Sequence, residues 1–360
     1  MAEVRGDPER IDVRWLGEGL ERSGAARGAA LVQAEFAEYV GTGQTGSNAR
    51  IALTWDDPAG RPRTVVGKYP SRDPFARAGA FERGTYYNEF DFYTNLAPTL
   101  AVRTPRCHLA HYSHDPYDFV LIMEDLADSR QGDQFVGLTP DEAAAALVQA
   151  VAIHAPRWGD PTLDLFAPQR PRGTEAAEAL GGTYALMVEP FLDRLGAGLD
   201  DDVVELVRGL GPLAVRWAMG TDTPKTVVHN DFRPDNLMFG LTADAPPVVV
   251  VDWQTVRQGN AMFDIAYLIG GGFEPSLRAS VEAELLADYR SRLTASGVEY
   301  SSAVLQRDYR HASLWGVVMT VIATILAAQT ERGDRMLTVM GQRHGRHALE
   351  LDALGVLRDP

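Results

Sequence analysis

The first third of the chain carries a pattern of apolar and polar positions that predicts mostly strands. It opens with a short helix, because Val13, Leu16 and Leu20 recur at helical spacing after Asp12, a favourable N-cap residue. Five strand-like runs follow, with glycine-rich or Asp-Asp-Pro-Ala-Gly turns among them. These runs lie at 31–40, 51–55, 64–69, 106–112 and 118–123. A helix over roughly 78–96 interrupts them, which predicts a five-stranded antiparallel sheet carrying one main helix.

The rest of the chain has a mostly helical pattern. Thr139-Pro140-Asp-Glu opens this part with an N-cap, a proline at the first helical position and early acidic residues. A compact strand-and-loop stretch over 226–252 is the exception. The boundary falls in 125–138, where Gly, Asp, Ser and Gln dominate. The expected fold class is α+β, with an N-terminal lobe at 1–125 and a larger helical C-terminal lobe at 126–360.

Composition limits which binding partners and which cellular compartment suit this chain. The formal charge is −15, and a field of that sign repels nucleic acid and anionic membrane surfaces. The longest apolar run, 314–328, is shorter than the ~20 residues of a membrane span and predicts a buried helix. The single cysteine, Cys107, fits a reducing compartment. No signal-like apolar segment opens the chain, so we expect a cytoplasmic protein without a membrane span.

A glycine loop follows the first strand. Gly41, Gly43 and Gly46 form a GxGxxG pattern, which by itself is as compatible with a plain turn as with a phosphate-binding loop. A dinucleotide-binding Rossmann unit requires a helix after the third glycine, whereas 47–55 alternates like a strand. A strand, a glycine loop and a second strand form the flap that covers nucleotide phosphates in kinases, where backbone N–H groups approach the anion.

Lys68 lies on the next predicted strand and is the candidate phosphate-binding cation. A lysine at a strand end is otherwise an ordinary solvated residue. The following helix offers Glu82 and Glu89 on one face, and either could orient the lysine in an ion pair. We favour Glu89, because its neighbours in Tyr86-Tyr-Asn-Glu89-Phe suit a face turned toward the sheet.

The strongest chemical signal is a polar loop bracketed by apolar residues over 227–239. It contains His229, Asp231 and Asn236 in the pattern HxDxxxxN. Phosphoryl transfer needs a carboxylate that orients the attacking hydroxyl and accepts its proton, and an amide oxygen that holds Mg²⁺; this spacing supplies both. His229 stands two residues before the aspartate, so we assign it a structural role in bracing the loop.

Two further aspartates accompany this loop. Asp252 ends the buried-strand run Val248-Val-Val-Val251 and is a candidate second metal ligand, the alternative being a turn cap. Asp264 opens the helix Phe263-Asp264-Ile-Ala-Tyr267, where it could cap the helix or hold the backbone of the polar loop.

Taken together, these motifs resemble the protein-kinase-like fold. HNDFRPDN, DWQ and FDIAYL are similar in order and detail to the aminoglycoside phosphotransferase and choline kinase superfamily of small-molecule kinases. DWQ and the long N-terminal sheet lobe look most similar to its ecdysteroid-kinase-like and uncharacterised bacterial phosphotransferase branch. The resemblance extends over about 31–328.

The resemblance implies a role for each site residue. Asp231 would be the catalytic base, Asn236 and Asp252 would hold Mg²⁺, Lys68 would hold phosphate, and Glu89 would position Lys68. The strand 118–123 would lead into a hinge at Glu124 and Leu126, whose backbone groups would bind the adenine edge. Arg233 would either neutralise charge on the transferred phosphoryl group or form a surface ion pair.

The expected activity is an ATP- and Mg²⁺-dependent O-phosphotransferase, with GTP a possible donor. The segment between Asp252 and Asp264 is too short for a polypeptide-docking loop, so the expected partner is a small-molecule hydroxyl acceptor. Aminoglycoside-like, choline-like and hydroxylated lipid or sterol-like acceptors stay open. Trp158, Trp253 and Trp315 are candidate pocket aromatics, although the helical spacing around Trp315 favours a place in the core. A catalytically silent nucleotide-binding pseudokinase is the alternative function, and we expect a monomer or homodimer.

Overall fold

A computed structural model describes residues 6–41, 46–115, 117–165, 173–326 and 330–358. The chain divides into two compact units. Unit 1 comprises Met1–Thr99, Arg103–Ser129 and Val249–Thr255, and unit 2 comprises Leu100–Val102, Arg130–Val248 and Val256–Pro360. A sheet dominates unit 1 and helices dominate unit 2, so the predicted α+β fold class is confirmed.

Unit 1 contains the predicted five-stranded antiparallel sheet. Its strands are β1 (Leu31–Val40), β2 (Gly46–Trp55), β3 (Thr64–Pro70), β4 (Cys107–Ser113) and β5 (Asp118–Glu124), in the order β1-β2-β3-β5-β4. Alternate residues of β2, including Ala49 and Ile51, are buried against α1 (Val13–Arg22). Asp12 caps α1 by accepting from the Trp15 N–H, as predicted. In register, Asn48 on β2 faces Lys68 on β3.

The prediction of a single helix over 78–96 is wrong, because the helical segment begins earlier and is not continuous. The chain forms α2 (Pro74–Glu82), α3 (Thr85–Asp91) and then a π-helical turn at Phe92–Leu96. Gly84 separates α2 from α3 with a φ of 69°, a left-handed conformation that glycine adopts without steric cost. The start was missed because Asp73 caps α2 and Pro74 occupies its first turn, signals that lie before the predicted boundary.

Unit 2 is mostly helical. Its helices are α4 (Pro140–His154), α5 (Gly173–Leu195), α6 (Asp201–Leu210), α7 (Ala214–Ala218), α8 (Met262–Gly272), α9 (Pro275–Ala295), α10 (Ser302–Ala312), α11 (Leu314–Leu326), α12 (Glu331–Glu350) and α13 (Gly355–Arg358). Further short strands are β6 (Ser129–Gln131), β7 (Thr226–Val228), β8 (Leu237–Gly240), β9 (Val248–Val250) and β10 (Arg257–Gly259). Ser129 of β6 and Val249 and Val250 of β9 belong to unit 1. β7 and β10 pair antiparallel, which brings together the segments before the polar loop and before α8.

The apolar run at 314–328 is the predicted buried helix over its described part, α11. Val317, Val318 and Val321 of this helix pack in one core with Phe191 of α5 and Leu337 of α12. Across the described ranges, no helix combines the length and apolar character that crossing a membrane requires.

The N-terminus of α4 gives a testable prediction about stability. Thr139 and Glu142 form a reciprocal capping box, with hydrogen bonds of 3.2 and 2.9 Å. Thr139→Ala removes the hydroxyl that accepts from the Glu142 N–H and should lower the free energy of unfolding by about 1 kcal/mol. The measurement is urea denaturation. Thr183→Ala is the matched control, because Thr183 lies within α5 and bonds only the Ala179 carbonyl; an equal loss in both variants would contradict the capping assignment.

Candidate active site

The described glycines of the GxGxxG loop each have a backbone reason to be glycine. Gly41 has a φ of 75°, in the left-handed region. A Cβ on Gly46 would lie 2.8 Å from the Tyr69 carbonyl oxygen, so any larger residue would push β2 away from β3. Gly43 lies outside the described residues.

Lys68 lies at the centre of an ion triad in unit 1, in which Lys68 and Glu89 are buried and Asp252 is half-buried. Its Nζ is 2.6 Å from Glu89 Oε2 and 3.0 Å from Asp252 Oδ1. Lys68 comes from β3, Glu89 from α3, and Asp252 from the segment after β9. The other candidate carboxylate, Glu82, is exposed and accepts a hydrogen bond from Tyr117 instead. Of the two glutamates on the predicted face, Glu89 therefore pairs with the lysine.

The two neighbouring carboxylates keep the Lys68 side chain positively charged. Burial alone would lower the pKa of Lys68, but the charges of Asp252 and Glu89 outweigh it and raise the pKa above its usual value. Burial raises the pKa of the Glu89 carboxyl, an effect that the Lys68 ammonium opposes. Lys68 is consequently a permanent, fixed cation at neutral pH.

Asp252 is held in an uncommon backbone conformation. Its φ is 66°, in the left-handed region that residues with a Cβ seldom occupy. The next residue, Trp253, is fully buried and stacks on Phe92 with ring centroids 3.9 Å apart, while its N–H donates to Glu89. Asn88 donates to the Gln254 carbonyl. These contacts make Trp253 a structural residue and not the pocket aromatic that the sequence suggested.

The end of β5 is fixed by two arginines that the sequence analysis missed. The predicted hinge residue Glu124 accepts two hydrogen bonds from Arg103, at 2.7 and 2.8 Å. Its neighbour Asp125 accepts two from Arg50, at 2.7 and 3.2 Å. The Leu126 carbonyl accepts from the Ser129 N–H and closes a turn. Arg50 is a strand residue far from Asp125 in sequence, so no local pattern could have revealed this pairing.

The polar loop in unit 2 brings together the carboxylate and the amide of the HxDxxxxN motif. Asn236 Nδ2 donates to Asp231 Oδ2 at 2.9 Å and to the Asp231 carbonyl at 2.8 Å. Because the amide nitrogen is used in this way, the Asn236 Oδ1 faces away from the Asp231 carboxylate. Arg233 lies 3.2 Å from Asp231 and 2.5 Å from Asp235, so both carboxylates hold its guanidinium on the loop.

Asp264 holds the backbone of this loop through hydrogen bonds. Asp264 is fully buried in the first turn of α8 and accepts from the N–H groups of His229 and Asn230, at 2.7 Å each. His229 is also fully buried, and its Nδ1 accepts from the Asp231 N–H at 3.3 Å. Both predicted structural roles are confirmed.

The remaining candidate aromatics are also structural. Trp315 is buried on α11, and its Nε1–H donates to the Asn230 carbonyl at 3.2 Å. Trp158 packs against Tyr300. Trp315 is therefore the core residue that its helical spacing favoured and not a pocket aromatic, because its ring belongs to the core and its polar atom is used by the loop.

Two hard donor side chains are available for a metal ion. Within the described part of the chain, no group of three or more His, Cys, Asp or Glu side chains is arranged to hold a metal ion. Asp252 and Asn236 supply a carboxylate and an amide oxygen, which are hard donors of the kind that Mg²⁺ prefers. Mg²⁺ characteristically binds to one or two such side chains together with substrate phosphates.

Comparison with known proteins identifies the family. The model of the phosphotransferase enzyme family matches residues 45–298, which is more than half of the chain. No curated protein sequence matches this chain. Many solved structures share the fold, and three of them are described here by their similarity to this chain.

The first is a putative aminoglycoside phosphotransferase from Ralstonia eutropha JMP134, which is 15% identical with a TM-score of 0.53, covering 95% of this chain and 99% of its own. The second is a GDP and kanamycin complex of an aminoglycoside phosphotransferase, which is 15% identical with a TM-score of 0.53, covering 90% and 98%. The third is Plasmodium vivax ethanolamine kinase, which is 11% identical with a TM-score of 0.51, covering 84% and 80%.

These findings confirm the resemblance at the level of the superfamily. The sheet, the glycine loop and the HxDxxxxN loop occur in the order that the protein-kinase-like fold requires. The chain belongs to the phosphotransferase enzyme family.

Proposed function

We propose that this chain transfers the γ-phosphate of ATP to a hydroxyl group of a small molecule in a Mg²⁺-dependent reaction. The observation that carries the proposal is the ion triad in which Glu89 and Asp252 hold the Lys68 ammonium. A fixed cation of this kind stabilises charge on transferring phosphates without reorganising during the reaction. Residues of both units take part, with nucleotide binding at 1–125 and catalysis and acceptor binding at 126–360.

The sheet of unit 1 offers polar groups suited to a nucleotide. Asn48 and Lys68 are directly paired across β2 and β3, so their side chains share one face of the sheet. Asn48 Oδ1 is buried and has no hydrogen-bond partner among the described residues. A buried amide oxygen without a donor is costly, and a ligand on this face would remove the cost. We therefore assign this face, with Gly41, Gly43 and Gly46, to ATP, or to GTP in its place. The backbone at Glu124 and Leu126 is assigned to the base.

Asn236 and Asp252 are the residues proposed to hold Mg²⁺. When bound, the ion neutralises phosphate charge and orients the phosphates for in-line attack. The contacts of the two residues suit this assignment, since the amide nitrogen of Asn236 is committed to Asp231 and its oxygen is not. Lys68 contacts one oxygen of Asp252, and Gln254 donates to the other at 3.4 Å.

Asp231 is the proposed catalytic base. Its carboxylate would orient the acceptor hydroxyl and accept its proton as the oxygen attacks phosphorus. Asn236 donates to one oxygen of this carboxylate and Arg233 pairs with the other, so the orientation of the carboxylate is fixed. Arg233 would also neutralise charge on the transferred phosphoryl group, for which its planar guanidinium is well suited.

The acceptor is proposed to be a small hydroxyl compound. The aminoglycoside phosphotransferase that shares this fold binds kanamycin, and another protein with the fold is an ethanolamine kinase. Aminoglycoside-like, choline-like and hydroxylated lipid-like compounds are therefore the first set to screen, by following nucleoside diphosphate release.

Asp231→Asn tests the assignment of the base. The amide preserves the shape of the side chain but cannot accept the hydroxyl proton, so kcat should fall by on the order of 10²–10⁴-fold. Nucleotide binding, measured by calorimetry, should change less than about threefold. A variant that retained the wild-type kcat would remove Asp231 from the mechanism.

Glu89→Gln and Glu82→Gln form a matched pair that tests the phosphate-binding lysine. Glu89→Gln removes one carboxylate from Lys68 and should raise the KM for the nucleotide by about tenfold, because the ammonium loses an orienting partner. Glu82→Gln should leave the nucleotide KM unchanged, since Glu82 is exposed and bonds Tyr117. The opposite pattern in steady-state kinetics would show that the wrong glutamate has been assigned.

A further inference from the structure

Tyr267 lies on the face of α8 that meets the polar loop. It follows Asp264 by three residues, and residues three apart share one face of a helix. On that face, Asp264 accepts the two backbone N–H groups that come just before Asp231 in the chain. Tyr267 is only 2% exposed. Its hydroxyl would be costly to leave without a hydrogen-bond partner, so the loop has to supply one.

The Asp231 carboxylate is this partner, since it accepts a hydrogen bond from the Tyr267 hydroxyl. Burial and the charge of Asp231 raise the pKa of Tyr267, so the hydroxyl stays protonated at neutral pH and is the donor of the pair. Asn236 and Arg233 also contact this carboxylate, but both belong to the polar loop itself. Tyr267 therefore ties the carboxylate to a helix outside the loop.

From this arrangement we propose that Tyr267 is a positioning residue for Asp231. The proposal rests on the proposed function, in which Asp231 is the base. A base has to present its oxygen to the acceptor hydroxyl in one direction, and small errors of placement are costly to the rate. A hydroxyl held in the core of unit 2 fixes this direction before the acceptor binds, so the carboxylate does not have to reorient during the reaction.

A buried histidine fixes the plane of the Tyr267 ring. The His344 imidazole on α12 stacks on this ring, with centroids 4.9 Å apart and an angle of 6° between the planes. Burial lowers the pKa of His344 to about 3, so its imidazole is neutral at pH 7. A neutral ring packs against the tyrosine without a charge that needs water. The two rings therefore form one closely packed layer behind Asp231.

Three glycines make room for the His344 ring. A Cβ on Gly316 of α11 would lie 2.1 Å from His344 Nδ1. Cβ atoms on Gly270 and Gly271 of α8 would lie 2.9 Å from Nδ1 and 2.8 Å from Nε2. In a close-packed core, a larger residue at any of these positions would displace the imidazole and with it the tyrosine ring.

Tyr267→Phe removes the hydroxyl and keeps the ring that stacks on His344. It should lower kcat by on the order of tenfold, because the base loses a fixed donor, and should leave the KM for ATP within about twofold. Tyr184→Phe is the matched control, since Tyr184 is fully buried on α5 and its hydroxyl donates to the Val207 carbonyl at 2.9 Å. It should lower the thermal midpoint and leave kcat within about twofold.

Combining Tyr267→Phe with Asp231→Asn shows whether the hydroxyl acts through the base. In the Asp231→Asn background, Tyr267→Phe should change the residual kcat by less than about twofold, because the group that the hydroxyl orients is already lost. A further tenfold loss in the double variant would show that Tyr267 acts independently of Asp231 and would overturn the proposal.

A pair of glycine variants tests the layer behind the tyrosine. Gly316→Ala forces the His344 ring to move and should lower kcat severalfold with the KM for ATP unchanged. Gly182→Ala is the control, because Gly182 lies within α5 and its Cβ would meet nothing within 4 Å. It should leave kcat within about twofold. If Gly316→Ala fails to fold, Tyr267→Phe still decides, because it removes a single atom from the core.

Each outcome bears on a separate claim. An unchanged kcat in Tyr267→Phe, or an equal loss in Tyr184→Phe, would overturn the positioning role. A wild-type chain that transfers phosphate neither to an acceptor nor to water would overturn the proposed function instead. Hydrogen exchange of the peptide 226–239 would then decide whether Tyr267 holds the loop. Exchange should be faster in Tyr267→Phe than in Tyr184→Phe, and equal rates would refute the inference without any measurement of activity.

Discussion

The burial of the Lys68 ammonium is the constraint on which unit 1 depends. An isolated buried charge costs several kcal/mol, so the fold must deliver compensating charge from other segments. Glu89 and Asp252 supply it from a helix and from a stretch of chain far away in sequence. Removing either carboxylate would leave the buried ammonium with one ion-pair partner instead of two. The stacking of Trp253 on Phe92 fixes the residue next to Asp252 and so helps to hold Asp252 in its left-handed conformation.

Unit 2 solves a related problem with neutral and charged hydrogen bonds. The polar loop turns sharply at Asn230, and its backbone N–H groups would be buried without acceptors if Asp264 were absent. Asp264 is therefore a structural residue of this loop, since its two hydrogen bonds satisfy the N–H groups of His229 and Asn230 just before Asp231. His154 contacts Asp264 and Tyr289 contacts His154, so the hydrogen bonds continue from Asp264 into the core of the unit.

Local patterns were sufficient for much of this architecture. The five strands, the capped start of α4 and the spacing of Asp231, Asn236 and Asp252 depend on neighbouring residues, and periodicity and motif spacing report on those directly. The break at Gly84 was missed because a single glycine within a helical pattern is usually tolerated.

Long-range side-chain pairs were the other omission. Arg50 with Asp125 and His154 with Asp264 join residues far apart in the chain, and no pattern in one sequence specifies which distant charge a residue meets. The residues proposed to act in the chemistry could therefore be named from the sequence, whereas their long-range partners required the fold.

The most direct test of the central claim is a thermal-shift titration of the full chain with ATP, GTP and NADH, each with and without Mg²⁺. A ligand that binds only the native state stabilises it by about 2.7 kcal/mol at 100 times its Kd, which raises the midpoint measurably. We expect ATP or GTP to raise the midpoint, and to do so more strongly with Mg²⁺. A rise with NADH alone, or no rise with either nucleoside triphosphate, would contradict the assignment of a nucleotide-dependent phosphotransferase.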